Sequence, residues 1–238
     1  MKIAINFLGQ IKNVIDVKSI SGWKSKLFEI PCDKIFEQQL MDVDHFRDDY
    51  EVPNDVIINA SHQPQGVDVT ILIIDQPLER NYYIHRLSNN MAVISIYPVK
   101  EVLYSENIRI ESYLIRCIYE IVCFWYEREN LIHEEIYKIP HHETRGCLFD
   151  MNVIIEDIRF SAVQPAICDE CNSRLTQRNL PNNFIKTLKK ELMRIKKPLY
   201  YRIFDKVKER PILALFITSF WALLLSVAGS YICEKLVK

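Results

Sequence analysis

Between residues 211 and 233 the chain reads PILALFITSFWALLLSVAGSYIC, a run without one charged side chain. At 1.5 Å of rise per residue, a helix of that length crosses a hydrocarbon core of about 30 Å. A soluble core helix has no need of apolar residues on every face over such a length. The flanks set the direction: Lys189, Lys190, Arg194, Lys196, Lys197, Arg202, Lys206 and Lys208 precede the run, whereas only Lys235 and Lys238 follow it. An excess of cations before the span places the preceding domain in the cytoplasm. The expectation is a tail-anchored, single-pass protein of a bacterial inner membrane. Its basic run would rest on anionic headgroups, at about 1 kcal/mol per cation near the surface.

The remaining residues are numerous enough to bury one soluble core. A formal net charge of −1 makes no case for a nucleic-acid partner. The five glycines, at 9, 22, 66, 146 and 229, form neither a Walker A loop nor a dinucleotide fingerprint. The opening MKIAINFLG is too short for the apolar part of a signal peptide and reads as a strand. The division expected is a domain over 1–180, a basic juxtamembrane helical segment over 181–210, and the span.

Apolar runs at residues 2–8, 68–74 and 91–97 predict strands, with further strands at 21–31 and 56–58. Residues 33–41, 184–195 and 200–209 have helical spacing, with Asn182 or Asn183 available as a cap. The longest helical signal covers 109–129, where Tyr113, Leu114, Cys117, Ile118, Ile121, Val122 and Trp125 make one broad apolar stripe. The fold class is therefore α/β, a mixed sheet with a long helix packed on it.

Seven cysteines in a cytoplasmic chain suggest metal ligands and core thiols. The stretch 141–171, HHETRGCLFDMNVIIEDIRFSAVQPAICDEC, joins a histidine pair, a Gly-Cys and a Cys-x-x-Cys. His142, Cys147, Cys168 and Cys171, with His141 as the substitute for His142, offer the nitrogen and sulfur donors of a closed tetrahedral zinc site. Four protein ligands leave no open position, so this zinc would be structural. A buried cysteine cluster and a redox Cys-x-x-Cys are the alternatives; the redox motif belongs at a helix start, and the setting here looks like a turn. A second cluster lies in ERNYYIHR, residues 79–86. Arg80, Tyr82, Tyr83, His85 and Arg86 offer charged donors and stacking faces suited to a phosphate, a nucleotide or a peptide.

The order of these elements, with zinc-type cysteines after a long helix, resembles the archaemetzincins, a branch of the metzincin zinc peptidases, over roughly residues 1–175. The residues that carry the resemblance are His142-x₄-Cys147, Met151 and Cys168-x-x-Cys171, together with the strands before the helix. The resemblance implies a zincin-like fold closed by a zinc knot, and a catalytic helix of form H-E-x-x-H. There this chain departs, because Tyr119-Glu120-Ile-Val-Cys123 stands in that place. Glu120 persists but both histidines are gone, so the scaffold is expected to be a pseudoenzyme. The function expected is a non-enzymatic, membrane-anchored protein that binds a ligand or partner, of the kind that serves as a stress or defence effector. The alternatives are a working zinc peptidase or hydrolase and a tethering adaptor. Ala222, Ser226 and Ser230 recur every four residues in the span and predict self-association.

Overall fold

Five strands form one sheet among the described residues: β1 (Ile3–Leu8), β2 (Ile35–Gln38), β3 (Val69–Ile74), β4 (Ile84–Leu87) and β5 (Met91–Ser95). Their order is β2-β1-β3-β5-β4, with every neighbour parallel except β4, which runs antiparallel to β5. The computed structural model describes residues 1–9, 11, 13–39, 51–87, 89–128, 131 and 144–237. They divide into two units, Met1–Lys196 and Lys197–Lys238.

The helices of the first unit are α1 (Val17–Ser21), α2 (Asn54–Ala60), α3 (Lys100–Ser105), α4 (Ile110–Arg128), α5 (Ile158–Ser161), α6 (Asp169–Thr176) and α7 (Phe184–Leu192). Strand side chains alternate between two faces, and both faces are covered. Val69, Ile71 and Ile73 of β3 join the larger core with α4, whereas Leu72 and Ile74 join a smaller core with Val52, Ile57 of α2 and Leu78. Burial on both sides explains why β1, β3 and β5 are apolar but for one buried polar residue each, Asn6, Thr70 and Ser95. The mixed sheet and the long helix are as the sequence predicts.

Several local expectations fail. The segment expected as a helix over 33–41 is instead a 3₁₀ turn, Cys32–Lys34, followed by β2. The parallel pairing of Ile35–Gln38 along the edge of β1 outweighs a marginal helical pattern. The β-branched residues 56–58 lie in helix α2, which begins after Pro53 and buries Ile57. Over 21–31 a single bridge, Lys2 to Glu29, replaces the expected strand, although Leu27, Phe28 and Ile30 are buried. The polar stretch 79–86 ends in β4, joined to β5 by the three residues 88–90, of which Asn89 and Asn90 take left-handed φ of 57° and 54°. Asn183 precedes α7 in a left-handed conformation and makes no side-chain cap.

The second unit holds α8 (Leu199–Glu209) and α9 (Pro211–Val237). Residues Pro211–Cys233 of α9 are long and apolar enough to cross a membrane, and no residue in the most apolar stretch is buried.

Candidate functional site

Cys147 is fixed by a short bridge to Ala166: the Leu148 N–H donates to the Ala166 carbonyl at 2.8 Å, and the Ala166 N–H to the Gly146 carbonyl at 2.7 Å. Gly146 is required there, since its φ is +86° and a Cβ would stand 3.2 Å from the Phe160 carbonyl oxygen. Across the bridge Cys168 caps α6, its sulfur accepting the Cys171 N–H at 3.4 Å. The motif thus opens a helix and does not occupy a free turn, which corrects the setting expected from sequence. The redox alternative loses the ground on which it was set aside, and a third sulfur beside the pair is the feature that a zinc site uses and a redox pair does not need. The sulfurs of Cys147, Cys168 and Cys171 all lie within 4.8 Å of one another. The Cys147–Cys171 separation is 3.9 Å. Two thiolates on one tetrahedral zinc stand roughly 3.8 Å apart for Zn–S bonds near 2.3 Å. The three cysteines form a group that can hold a zinc ion. His142 and its substitute His141 lie outside the described residues. The Cys171 thiol is pushed far up by its hydrogen bond with Cys147 and then by burial. Zinc must displace that proton, so affinity falls as pH falls.

Arg80, Tyr82, Tyr83, His85 and Arg86 all line one cavity of about 330 Å³, together with Asn54, Glu79, Glu120, Phe124 and Met151. Each owes its place to local structure. Arg80 sits in a 3₁₀ turn with φ of 59°. His85 and Arg86 project from β4. The Tyr83 hydroxyl donates to the Asp150 carbonyl at 3.0 Å and accepts from the Asn152 amide at 3.1 Å, so this ring is a fixed wall. The Asn54 amide nitrogen donates to Glu79 at 3.2 Å, which turns the Asn54 oxygen toward His85 Nδ1 at 3.0 Å. That network assigns the proton to Nδ1 and leaves Nε2 as an acceptor. Burial lowers the His85 pKa and favours the neutral ring. The Arg86 guanidinium lies 4.4 Å from the Phe124 ring centroid, and the Tyr82 and His85 rings are 5.5 Å apart. One polar, aromatic-walled cleft results, with a cation at its edge. Arg145, near the zinc loop, is engaged by Asp157 at 3.0 Å.

The helical turn Tyr119–Cys123 is occupied by interactions of its own. The Tyr119 hydroxyl donates to Glu191 at 2.7 Å and accepts from the Trp23 indole at 2.9 Å. Glu120, facing the cleft, is ion-paired with Arg116 one turn earlier in α4. Arg116 is fully buried, and it also donates to the Leu148 carbonyl at 2.6 Å. Burial raises the Glu120 pKa, against the opposing pull of Arg116 and Arg86. Burial likewise holds the Cys123 thiol well above its ordinary range.

The sequence matches no family model and no curated protein. Among solved structures the chain is similar to the archaemetzincin of Methanopyrus kandleri, with 12% identity over 74% of this chain and 94% of that one, at a TM-score of 0.47. The archaemetzincin of Archaeoglobus fulgidus gives 14% identity over 73% and 99%, also at 0.47. A zinc-dependent peptidase of Methanocorpusculum labreanum gives 14% identity over 73% and 99%, at 0.35.

Sequence reasoning missed Arg116, Asn54, Glu79, Phe124 and Met151 as parts of the cleft or its support. Only Arg116 left a signal. A lone cation within the apolar stretch of α4, four residues before Glu120, marks a pair that can be buried only together.

Proposed function

We propose that this chain is a membrane-anchored, non-enzymatic ligand-binding protein, a pseudo-peptidase whose cleft at Arg86 and His85 receives a small anionic or planar molecule. One observation carries the reading: Glu120, the residue standing where a metallopeptidase keeps its general base, is neutralised by buried Arg116. Arg116 ties up one oxygen of that carboxylate and lowers its affinity for a proton, which weakens it as a base toward water. The cavity falls at the small end of the range for ligand sites, with convergent polar groups on apolar walls. The test is a thermal-shift screen of nucleotides and small carboxylates on the full chain in detergent. A ligand at a hundred times its Kd should add about 2.7 kcal/mol. Arg86→Ala should remove that shift and Lys206→Gln, a cation of α8 that does not line the cleft, should leave it. Peptide hydrolysis by the wild type that disappears in Glu120→Gln would establish the peptidase reading instead.

The anchor supports a cytoplasmic position for the first unit in a bacterial inner membrane, and with it a role as a stress or defence effector that assembles in the bilayer. The stripe Ala222, Ser226, Ser230 would form the helix contact. Because the Ser230 hydroxyl donates back to the Ser226 carbonyl at 3.0 Å, that contact would rest on close packing more than on hydrogen bonds between helices. Replacing the three with leucine is expected to abolish cross-linked oligomers and any toxicity together. An unchanged, functional variant would leave only a tether.

A further inference from the structure

A second cavity of about 550 Å³ lies away from the cleft, and its charge is one-sided. Lys24 and Lys26 line it from the loop after α1, and Lys186, Lys190 and Arg194 from the other side. The last three recur every fourth residue, so they share one face along α7 and its end. The two segments are clamped by direct bonds. Glu191 accepts the Ser25 hydroxyl at 2.6 Å and the Lys26 N–H at 2.8 Å, and Arg194 donates to the Lys24 carbonyl at 2.7 Å. Arg194 is further held over the Trp23 ring, 4.6 Å from its centroid.

We propose that this cavity binds a multiply charged phosphate group, presented by an anionic lipid headgroup or by a soluble phosphorylated molecule. Five cations converge, and none makes an ion pair among the described residues. Glu191 is the one carboxylate in the lining, and its oxygens are taken up by Ser25, Lys26 and Tyr119. Like charges lining one cavity repel their neighbours, over a Debye length of ~8–10 Å, until a counter-anion joins them. Thr187 and Asn183 add polar groups to the same wall. In sequence the site ends at Arg194, five residues before the start of α8, which leads into the apolar helix.

The test uses the full chain in phosphatidylcholine nanodiscs, titrated with inorganic tripolyphosphate by calorimetry. One-to-one binding is expected, weakening with salt and falling about tenfold or more in Lys24→Gln/Lys190→Gln. Lys206→Gln/Lys208→Gln, which alters cations of α8, should bind as the wild type does. The source is read by native mass spectrometry in detergent doped with phosphatidylinositol phosphate. One lipid lost from the first double variant assigns a headgroup, and an unchanged lipid count assigns a soluble phosphate. Absence of tripolyphosphate binding, or equal binding by the wild type and Lys24→Gln/Lys190→Gln, overturns the proposal.

Discussion

Arg116→Met should destabilise the protein by about 3–5 kcal/mol, because it leaves the buried Glu120 carboxylate without its partner. The guanidinium also serves the Leu148 carbonyl, which loses its donor. Replacing both members, as Arg116→Met/Glu120→Leu, should recover much of the loss, since an apolar pair of similar volume leaves no buried charge. The pH dependence has a definite sign. Burial already raises the Glu120 pKa above 4.5, so its protonated form favours the folded state. That contribution is complete below the unfolded pKa and is lost as pH rises through the folded one. Removing Arg116, which pulls the pKa down, raises the folded value further. The deficit of the single variant should therefore grow between acid and neutral pH, while the double variant stays flat. Thermal unfolding in mild detergent across that range reads both. A single variant as stable as the wild type at neutral pH would show that the pair is not buried as described.

The second large effect concerns the metal. Purified full-length protein should carry about one zinc per chain, and Cys171→Ser should lose it and unfold at a lower temperature. Structural zinc contributes on the order of 10 kcal/mol in isolated small sites, and less where a core of this size already holds the fold. Chelator should lower the melting temperature of the wild type and leave that of the variant unmoved. Metal-free wild type with the same melting temperature as the variant would remove zinc from the account.

The elements legible in the sequence were those whose pattern has only one solution. The apolar run of β3 and the broad stripe of α4 each exceed what a loop or an exposed element can carry, and the charge-free run 211–233 forms a helix long and apolar enough to cross a membrane. Residues 33–41 and 56–58 failed for a shared reason. Their short apolar clusters fit either period, and the choice lay with a partner elsewhere: the edge of β1 for Ile35–Gln38, the second sheet face for Ile57. The cleft was half visible. Arg80 to Arg86 announced themselves by composition, but Asn54 and Glu79 enter through a contact between α2 and a turn more than twenty residues later. The cysteine triad was readable as chemistry, though its helix start was not, because Cys168 takes a capping role that sequence usually gives to serine or aspartate.

Glu191 deserves a mechanical reading. Its two oxygens fasten α7 to the loop at Ser25–Lys26 and, through Tyr119, to the middle of α4. Hydrogen bonds converging on a single carboxylate are directional where apolar contacts are not, so they fix the register of α7 against both segments. The chain leaves α7 at Leu192 and passes into the unit that holds the apolar helix. Glu191 thus joins three segments far apart in sequence, Ser25–Lys26, Tyr119 and α7, at one buried carboxylate beside the turn that carries Glu120.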